Sequence, residues 1–262
     1  MKLQLRLREH LGMITRGANS YEPRYVDILR WLIHKGDTVF DVGANVGFYT
    51  TLFSQWVGPL GKVIAYEPDP CNLTLLKRNM EVIGMDNTTI RDVALASQSG
   101  TAQFSIDKFT RSTGHLGAGP TYADELFGDL QKYSSLQVAT KTLNDEVKKY
   151  GPPTVIKLDI EGGEYAVLKG GEQVLAELRP LVMTEMSVWT NKATIIDTGP
   201  HRARLLFQQY DYDMWDVDSG TRVTPETNVW MVLAVPRERA HAKTFNEVVM
   251  QLKASNSEPC AV

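Results

Sequence analysis

Short apolar runs alternate along the chain with longer segments whose apolar residues recur every three or four positions. The runs have the length and composition of strands and comprise residues 38–42, 62–66, 88–95, 101–106, 154–158, 181–186, 211–217 and 228–235. The longer segments have helical spacing and comprise residues 21–34, 48–56, 70–83, 142–150, 164–178 and 201–210. Strands that alternate with helices predict an α/β fold with a doubly wound, mostly parallel sheet that is covered on both faces.

The last two predicted strands differ from the others in their connection. A turn around Ser219 joins them and is too short for a helical crossover, so we expect a C-terminal antiparallel strand. The same pattern predicts an N-terminal helical segment (residues 1–35), a main domain (36–236) and a tail (237–262). Residues 107–135 form an insertion rich in Gly, Ser and Thr, which is either a binding loop or lid, or a tolerated surface insertion.

A glycine-containing turn follows the first predicted strand and precedes a helix. It runs from Asp41 to Gly47, so its backbone amides lie at a helix N-terminus. The second strand ends at Glu67, where a carboxylate can accept hydrogen bonds from both ribose hydroxyls of a bound nucleoside. The turn and Glu67 together predict a pocket for a nucleoside cofactor.

The composition of the turn favours one cofactor over another. A dinucleotide fingerprint needs a third glycine for close approach to a pyrophosphate, and this turn has only two. Asp41 would repel a phosphate but suits a cationic ligand such as S-adenosylmethionine, whose carboxylate the amide of Asn45 can bind. Cofactor contacts are therefore predicted for a set of seven residues: Asp41, Gly43, Ala44, Asn45, Gly47, Glu67 and, for the adenine amine, Asp92. An NAD site, or a turn that only packs a helix on the sheet, remains an alternative.

A second acidic cluster follows the strand predicted at 154–158, where ligands of open α/β sheets bind. Lys157 and Asp159 share one side of the strand, and Glu161 follows in the loop. Crowded carboxylates raise at least one pKa unless Lys157 or a metal intervenes, which would suit a general base. We therefore predict catalytic roles for Lys157, Asp159 and Glu161, and we add His115 of the insertion as another candidate base. A divalent metal held by these oxygens stays open.

Two further glutamates have competing interpretations. Glu164 is best explained as a first-turn helix residue that is stabilised by the helix dipole. Glu185, at the end of the strand predicted at 181–186, either faces the substrate or binds nearby backbone amides.

Composition limits the function further. A chain of 262 residues can bury a full core, and its net charge of −3 does not suit a general nucleic-acid binder. Cys71 and Cys260 give neither a metal-ligand spacing nor a disulfide framework, so we expect a reducing compartment, the cytoplasm. No apolar run has the length of a membrane span, and the first ten residues do not predict a secretory signal.

With these motifs, the chain resembles the FkbM family of S-adenosylmethionine-dependent methyltransferases. The pieces that match are Tyr21-Glu22, residues 36–50, Tyr66-Glu67-Pro68, residues 76–79, 156–164 and 168–171, Arg179-Pro180 and Glu185. The resemblance covers residues 21–235 and implies a class I, Rossmann-like methyltransferase fold. It also implies O-methylation of a small-molecule hydroxyl acceptor: a sugar, a polyketide-type natural product or a lipid-linked glycan. An NAD-dependent oxidoreductase and a cofactor-binding scaffold without turnover are the alternatives.

Overall fold

A computed structural model describes residues 3–6, 14–15, 17, 21–84, 86–107, 114–116, 133–186 and 197–240. Its larger sheet contains β1 (Thr38–Val42), β2 (Lys62–Tyr66), β3 (Thr88–Arg91), β8 (Val155–Leu158), β9 (Leu181–Glu185), β10 (Tyr212–Asp216) and β11 (Met231–Pro236). A smaller sheet contains β4 (Ala94–Leu95), β5 (Gly100–Asp107), β6 (Gly114–Leu116) and β7 (Tyr133–Lys141).

The larger sheet has the order β10-β11-β9-β8-β1-β2-β3. Its strands are parallel except β11, which pairs antiparallel with both β9 and β10. The chain moves outward from β1 in one direction through β2 and β3, and in the other through β8 and β9. The boundary between β1 and β8 is therefore the switch point of a doubly wound sheet. The predicted fold class and its C-terminal antiparallel strand are confirmed.

Helices cover both faces of this sheet. They are α1 (Pro23–Leu32), α2 (Phe48–Val57), α3 (Pro70–Ile83), α4 (Leu143–Tyr150), α5 (Glu164–Lys169), α6 (Gly199–Gln209) and α7 (Arg237–Ala240). Alternation along β1 separates two cores, because Val39 packs with residues of α1 and α2 while Phe40 packs with residues of α4, α5 and α6. Within the described part of the chain, no helix is long and apolar enough to cross a membrane.

The segment at residues 88–95, predicted as one strand, forms two strands that belong to different sheets. β3 pairs with β2, and after Asp92 and Val93 the chain enters the smaller sheet, where β4 pairs with β7. The local sequence pattern does not reveal this change, because the pairing partners of both halves are distant in sequence. Within the predicted insertion, β6 and the start of β7 belong to the smaller sheet, whereas residues 108–113 and 117–132 lie outside the described ranges.

The helix predicted at residues 164–178 is interrupted. α5 ends at Lys169, and a π-helical turn (Val174–Leu178) follows after Gly170 and Gly171. A side chain at Gly170 would come within 2.2 Å of the Ala96 carbonyl oxygen, so this segment packs closely on the chain that follows β4. The tail predicted at 237–262 begins with α7, and residues 241–262 lie outside the description. The proposed domain boundaries stay a prediction.

Candidate active site

A cavity of about 380 Å³ opens at the carboxyl ends of β1, β2, β8 and β9. This volume lies within the range of small-molecule sites. Loops beyond four parallel strands form its floor, and residues of the smaller sheet and of the segment before α1 form its walls. The cavity therefore lies at the switch point of the sheet, where the sequence predicted a ligand.

Glu67 directly follows β2 and lines the cavity, and it is only 5% exposed. One carboxylate oxygen accepts a hydrogen bond from the Asn45 amide at 2.8 Å, and the other accepts one from the Asp69 amide at 2.8 Å. Burial raises the pKa of Glu67 to about 7 although both backbone bonds act in the opposite direction. Each oxygen retains a lone pair with which it can accept a bond from a ligand hydroxyl.

The glycine turn is held close to the acidic loop after β8. Gly43 has φ +85°, and a Cβ there would lie 1.9 Å from the carbonyl oxygen of Asp159. Gly43, Ala44 and Asn45 line the cavity, but Gly47 does not. A side chain at Gly47 would instead lie 2.6 Å from Leu76 of α3, so this glycine allows helix packing rather than ligand approach.

Asp41 is fully buried beneath the cavity and is not among its lining residues. It accepts a hydrogen bond from the Thr50 hydroxyl at 2.6 Å, and its register partner on β8 is Lys157. Burial raises the pKa of Asp41, an effect that Lys157 and Thr50 oppose. The structure thus places Asp41 below the cavity lining, beside Lys157, and its predicted contact with the cofactor stays a prediction.

Lys157 and Asp159 form an ion pair, with 3.1 Å between the Nζ and Oδ2 atoms. The Lys157 ammonium also lies 4.8 Å from the centre of the Tyr49 ring. Burial alone would lower the pKa of Lys157, but Asp159, Asp41 and Glu22 more than offset it and raise that pKa. Burial likewise opposes ionisation of Asp159, yet Lys157 lowers the pKa of Asp159 below its usual value. Both groups are therefore charged at neutral pH.

Glu161 and Glu164 have different positions in the loop after Asp159. Glu161 is exposed at the cavity surface, where partial burial of its carboxylate and the negative charges of Asp159 and Glu164 raise its pKa to about 7. Glu164 is buried and accepts hydrogen bonds from the backbone amides of Ile160 and Gly162. Of these two residues, Glu161 is the one that lines the cavity.

Residues before α1 contribute to the site, which sequence reasoning missed. Tyr21 and Glu22 line the cavity, and the Tyr49 hydroxyl donates to Glu22 at 2.6 Å. Their match to the family pattern was the available signal, but nothing local in the sequence placed them beside Tyr49. Glu185 also lines the cavity, beside the Asp159 side chain. Of the two roles anticipated for Glu185, its position in the tertiary structure favours the one in which it faces the cavity.

The remaining predicted residues divide in two. His115 lies on β6 opposite Ser105 and lines the cavity. Asp92 is exposed and is not a lining residue, because the chain turns toward β4 there and presents Val93 instead. Asp92 is therefore not brought together with the other predicted cofactor residues, and its contact with adenine stays a prediction. Across the described ranges, no group of three His, Cys, Asp or Glu side chains could hold a metal ion.

The strand order, with the cavity at the switch point, is that of a class I methyltransferase fold. The methyltransferase FkbM domain matches residues 41–214, and the chain belongs to this family. Asp41, Glu67 and the loop from Asp159 to Glu164 all lie in the matched part.

Three curated relatives match this chain at low sequence identity. Methyltransferase sdnD of Sordaria araneosa is 27% identical over 56% of this chain and 65% of its own length. The 2-O-methyltransferase NoeI of Sinorhizobium fredii is 24% identical over 71% of this chain and 78% of its own. The hexuronic acid methyltransferase AglP of Haloferax volcanii is 26% identical over 60% of each chain. The chain thus spans less than two thirds of the first and third relatives.

Proposed function

We propose that this protein is an S-adenosylmethionine-dependent O-methyltransferase that acts on a hydroxyl of a sugar, a natural product or a lipid-linked glycan. The observation that carries the proposal is that Glu67 and the loop from Asp159 to Glu161 line one cavity at the same edge of the sheet. Glu67, as the carboxylate for ribose, and the loop from Asp159 to Glu161, as the acidic loop for the acceptor, then face the same cavity.

The charges of the cavity support a cationic cofactor over a dinucleotide. Among the described lining residues, the carboxylates are Glu22, Glu67, Asp69, Asp159, Glu161 and Glu185. Lys157 is the one lysine or arginine in that set, and Asp159 already pairs with it. A pyrophosphate in this surrounding would be repelled, whereas a sulfonium with an ammonium group would be attracted.

The acceptor side supplies a base and a surface for a polar ring. When bound, S-adenosylmethionine supplies an electrophilic methyl group. Glu161, whose pKa of about 7 suits proton transfer at neutral pH, accepts the proton of the acceptor hydroxyl. Tyr21 and Trp230 line the same cavity, and Trp230 is 40% exposed. Aromatic rings pack on the apolar faces of a sugar while carboxylates accept from its hydroxyls.

The relatives favour the same chemistry. NoeI is named a 2-O-methyltransferase, which denotes methylation of an oxygen, and AglP is named a hexuronic acid methyltransferase, which denotes a sugar acid as acceptor. Their low identity leaves the acceptor of this chain open, and Asp159, Glu161 and Lys157 are the residues whose substitution tests the activity.

The cofactor is tested by calorimetry with S-adenosylhomocysteine and, separately, with NAD. We expect S-adenosylhomocysteine to bind and Glu67→Gln to weaken it about 10- to 100-fold, because hydrogen bonds to a charged group are lost. Glu81→Gln, a change at an exposed position on α3, is the matched control and should leave the affinity unchanged. Binding of NAD without any heat from S-adenosylhomocysteine would contradict the proposal.

Turnover is tested with labelled S-adenosylmethionine and a panel of sugars, glycans and polyketide-type alcohols. Glu161→Gln should lower kcat about 100-fold or more while the affinity for S-adenosylhomocysteine stays within a few-fold. A protein that binds the cofactor but labels no acceptor in the panel would favour the scaffold alternative.

A further inference from the structure

The turn that carries Glu161 has an unusual backbone. Glu161 has φ +59° and Gly162 has φ +108°, so two consecutive residues adopt left-handed conformations. For a residue with a side chain, such a conformation costs about 1–3 kcal/mol and persists only where its surroundings impose it. Something outside the turn must therefore hold Glu161 in place.

The carboxylate of Glu164 provides that support. Its Oε1 atom accepts hydrogen bonds from the Ile160 amide and the Gly162 amide, both at 3.2 Å, and thus bridges the two sides of Glu161. Glu164 is 3% exposed and is the first residue of α5, so its position is fixed by the packed helix. The Glu161 carboxylate is left facing the cavity.

We propose that Glu164 is a positioning residue, which holds the Ile160–Gly162 turn in its left-handed form so that the Glu161 carboxylate faces the acceptor. This inference rests on the proposed role of Glu161 as the base. A favourable interaction with the dipole of the six-residue helix α5 does not account for Glu164 alone. The carboxylate oxygen of Glu164 also accepts hydrogen bonds from the backbone of the turn.

Glu164 also affects Glu161 through its charge. The charged groups that act on the Glu161 carboxylate are Asp159, Glu164 and Lys157, and the two carboxylates raise its pKa while Lys157 lowers it. The hydrogen bonds and the charge can be separated by mutation. A glutamine at position 164 keeps one carbonyl oxygen for both amides but has no charge, whereas an alanine has neither.

The first experiment compares Glu164→Gln with Glu164→Ala, with Glu81→Ala as the surface control. For Glu164→Ala we expect kcat to fall about 100-fold, because a small displacement of the reacting carboxylate of Glu161 has a large effect on the rate. The affinity for S-adenosylhomocysteine should change little. For Glu164→Gln we expect kcat at the pH optimum to be retained. The acid limb of the profile of kcat against pH should move to lower pH, because the charge of Glu164 that raises the pKa of Glu161 is removed. Equal losses in both variants would overturn the positioning role.

The second experiment does not depend on turnover. Carbon-13 NMR of labelled glutamate side chains measures the pKa of Glu161, whose signal is identified by its absence in Glu161→Gln. Hydrogen exchange of the Gly162 backbone amide measures how often the turn opens. We expect exchange at Gly162 to rise at least about tenfold in Glu164→Ala but not in Glu164→Gln. Unchanged exchange in Glu164→Ala would overturn the inference. If Glu161→Gln keeps full kcat, the proposed base fails, and the exchange data still decide whether Glu164 holds the turn.

Discussion

Lys157 carries the positive charge that balances the carboxylates of the site. It is buried between Asp41 below, Asp159 above and the ring of Tyr49 at the side. A buried charge that loses its partner is strongly unfavourable, because the remaining charge has neither water nor a counter-ion. The stability of the site therefore depends on this cation.

Lys157→Met should destabilise the protein by about 3–5 kcal/mol, since it leaves Asp41 buried without a cation. Adding Asp41→Asn should recover at least about 1 kcal/mol, because the uncompensated charge is then removed. Urea unfolding of the single and double variants measures both values. Lys62→Met, at the exposed start of β2, is the control and should change stability by no more than about 0.5 kcal/mol. A double variant less stable than Lys157→Met alone would refute the coupling.

At the residue scale, sequence reasoning assigned Glu67, Asp159 and Glu161 to the edge where all three line the cavity, because Glu67 and Asp159 directly follow buried strands and Glu161 lies two residues beyond Asp159. The carboxyl ends of parallel strands meet at one edge, so position along the chain was sufficient. Sequence reasoning did not predict that Asp41 lies below the cavity rather than in its lining, because the burial of this residue depends on the neighbouring strands. It also missed Glu22, whose contact with Tyr49 depends on the packing of α1 against α2.

At the scale of elements, two loops that are distant in sequence pack backbone to backbone. Gly43, after β1, leaves no space for a side chain beside the Asp159 carbonyl oxygen, after β8. The glycine turn thus determines where the acidic loop lies. Its sequence pattern indicates a ligand-binding feature, but Gly43 also has this packing role, and Gly47 has the corresponding role toward α3.

Gly43→Ala should be more harmful than an alanine at another left-handed glycine. Gly84, at the end of α3, has φ +69°, and a Cβ there would have no atom of the described residues within 4 Å, so Gly84→Ala should cost only about 1–2 kcal/mol of backbone strain. Gly43→Ala adds a clash with backbone atoms, and we expect at least about 3 kcal/mol and a tenfold or greater loss of S-adenosylhomocysteine affinity. Unfolding curves and calorimetry on both variants measure the difference. Equal effects would contradict the packing role.

At the scale of the whole molecule, the site concentrates acidic groups that resist ionisation. Burial is the largest cause that raises the pKa of Glu67 and Glu164, the two buried members of this group, to about 7. In the unfolded chain these groups titrate near pH 4.5. Between the two values the folded protein binds protons that the unfolded chain has released, so stability falls as pH rises.

We therefore expect the protein without ligand to lose stability between about pH 5 and pH 8, by on the order of 3 kcal/mol for each fully buried group. Urea unfolding at several pH values in this window measures the slope. Glu164→Gln should reduce the slope because it removes one of the titrating groups, whereas Glu81→Gln should leave it unchanged. A stability that rises across the window would show that these carboxylates are already ionised in the folded state.

The sequence by itself determined the strands and helices of the larger sheet, its doubly wound class and the edge at which the cavity lies, but it did not predict the smaller sheet with β6 and β7. The features that it determined follow from local periodicity and from the rule that parallel strands end together. Only the tertiary structure decided which carboxylates reach the cavity, which one supports Lys157, and how Glu164 holds Glu161. Burial, charge pairing and left-handed turns of this kind depend on contacts between residues far apart in the chain, and no local pattern encodes them.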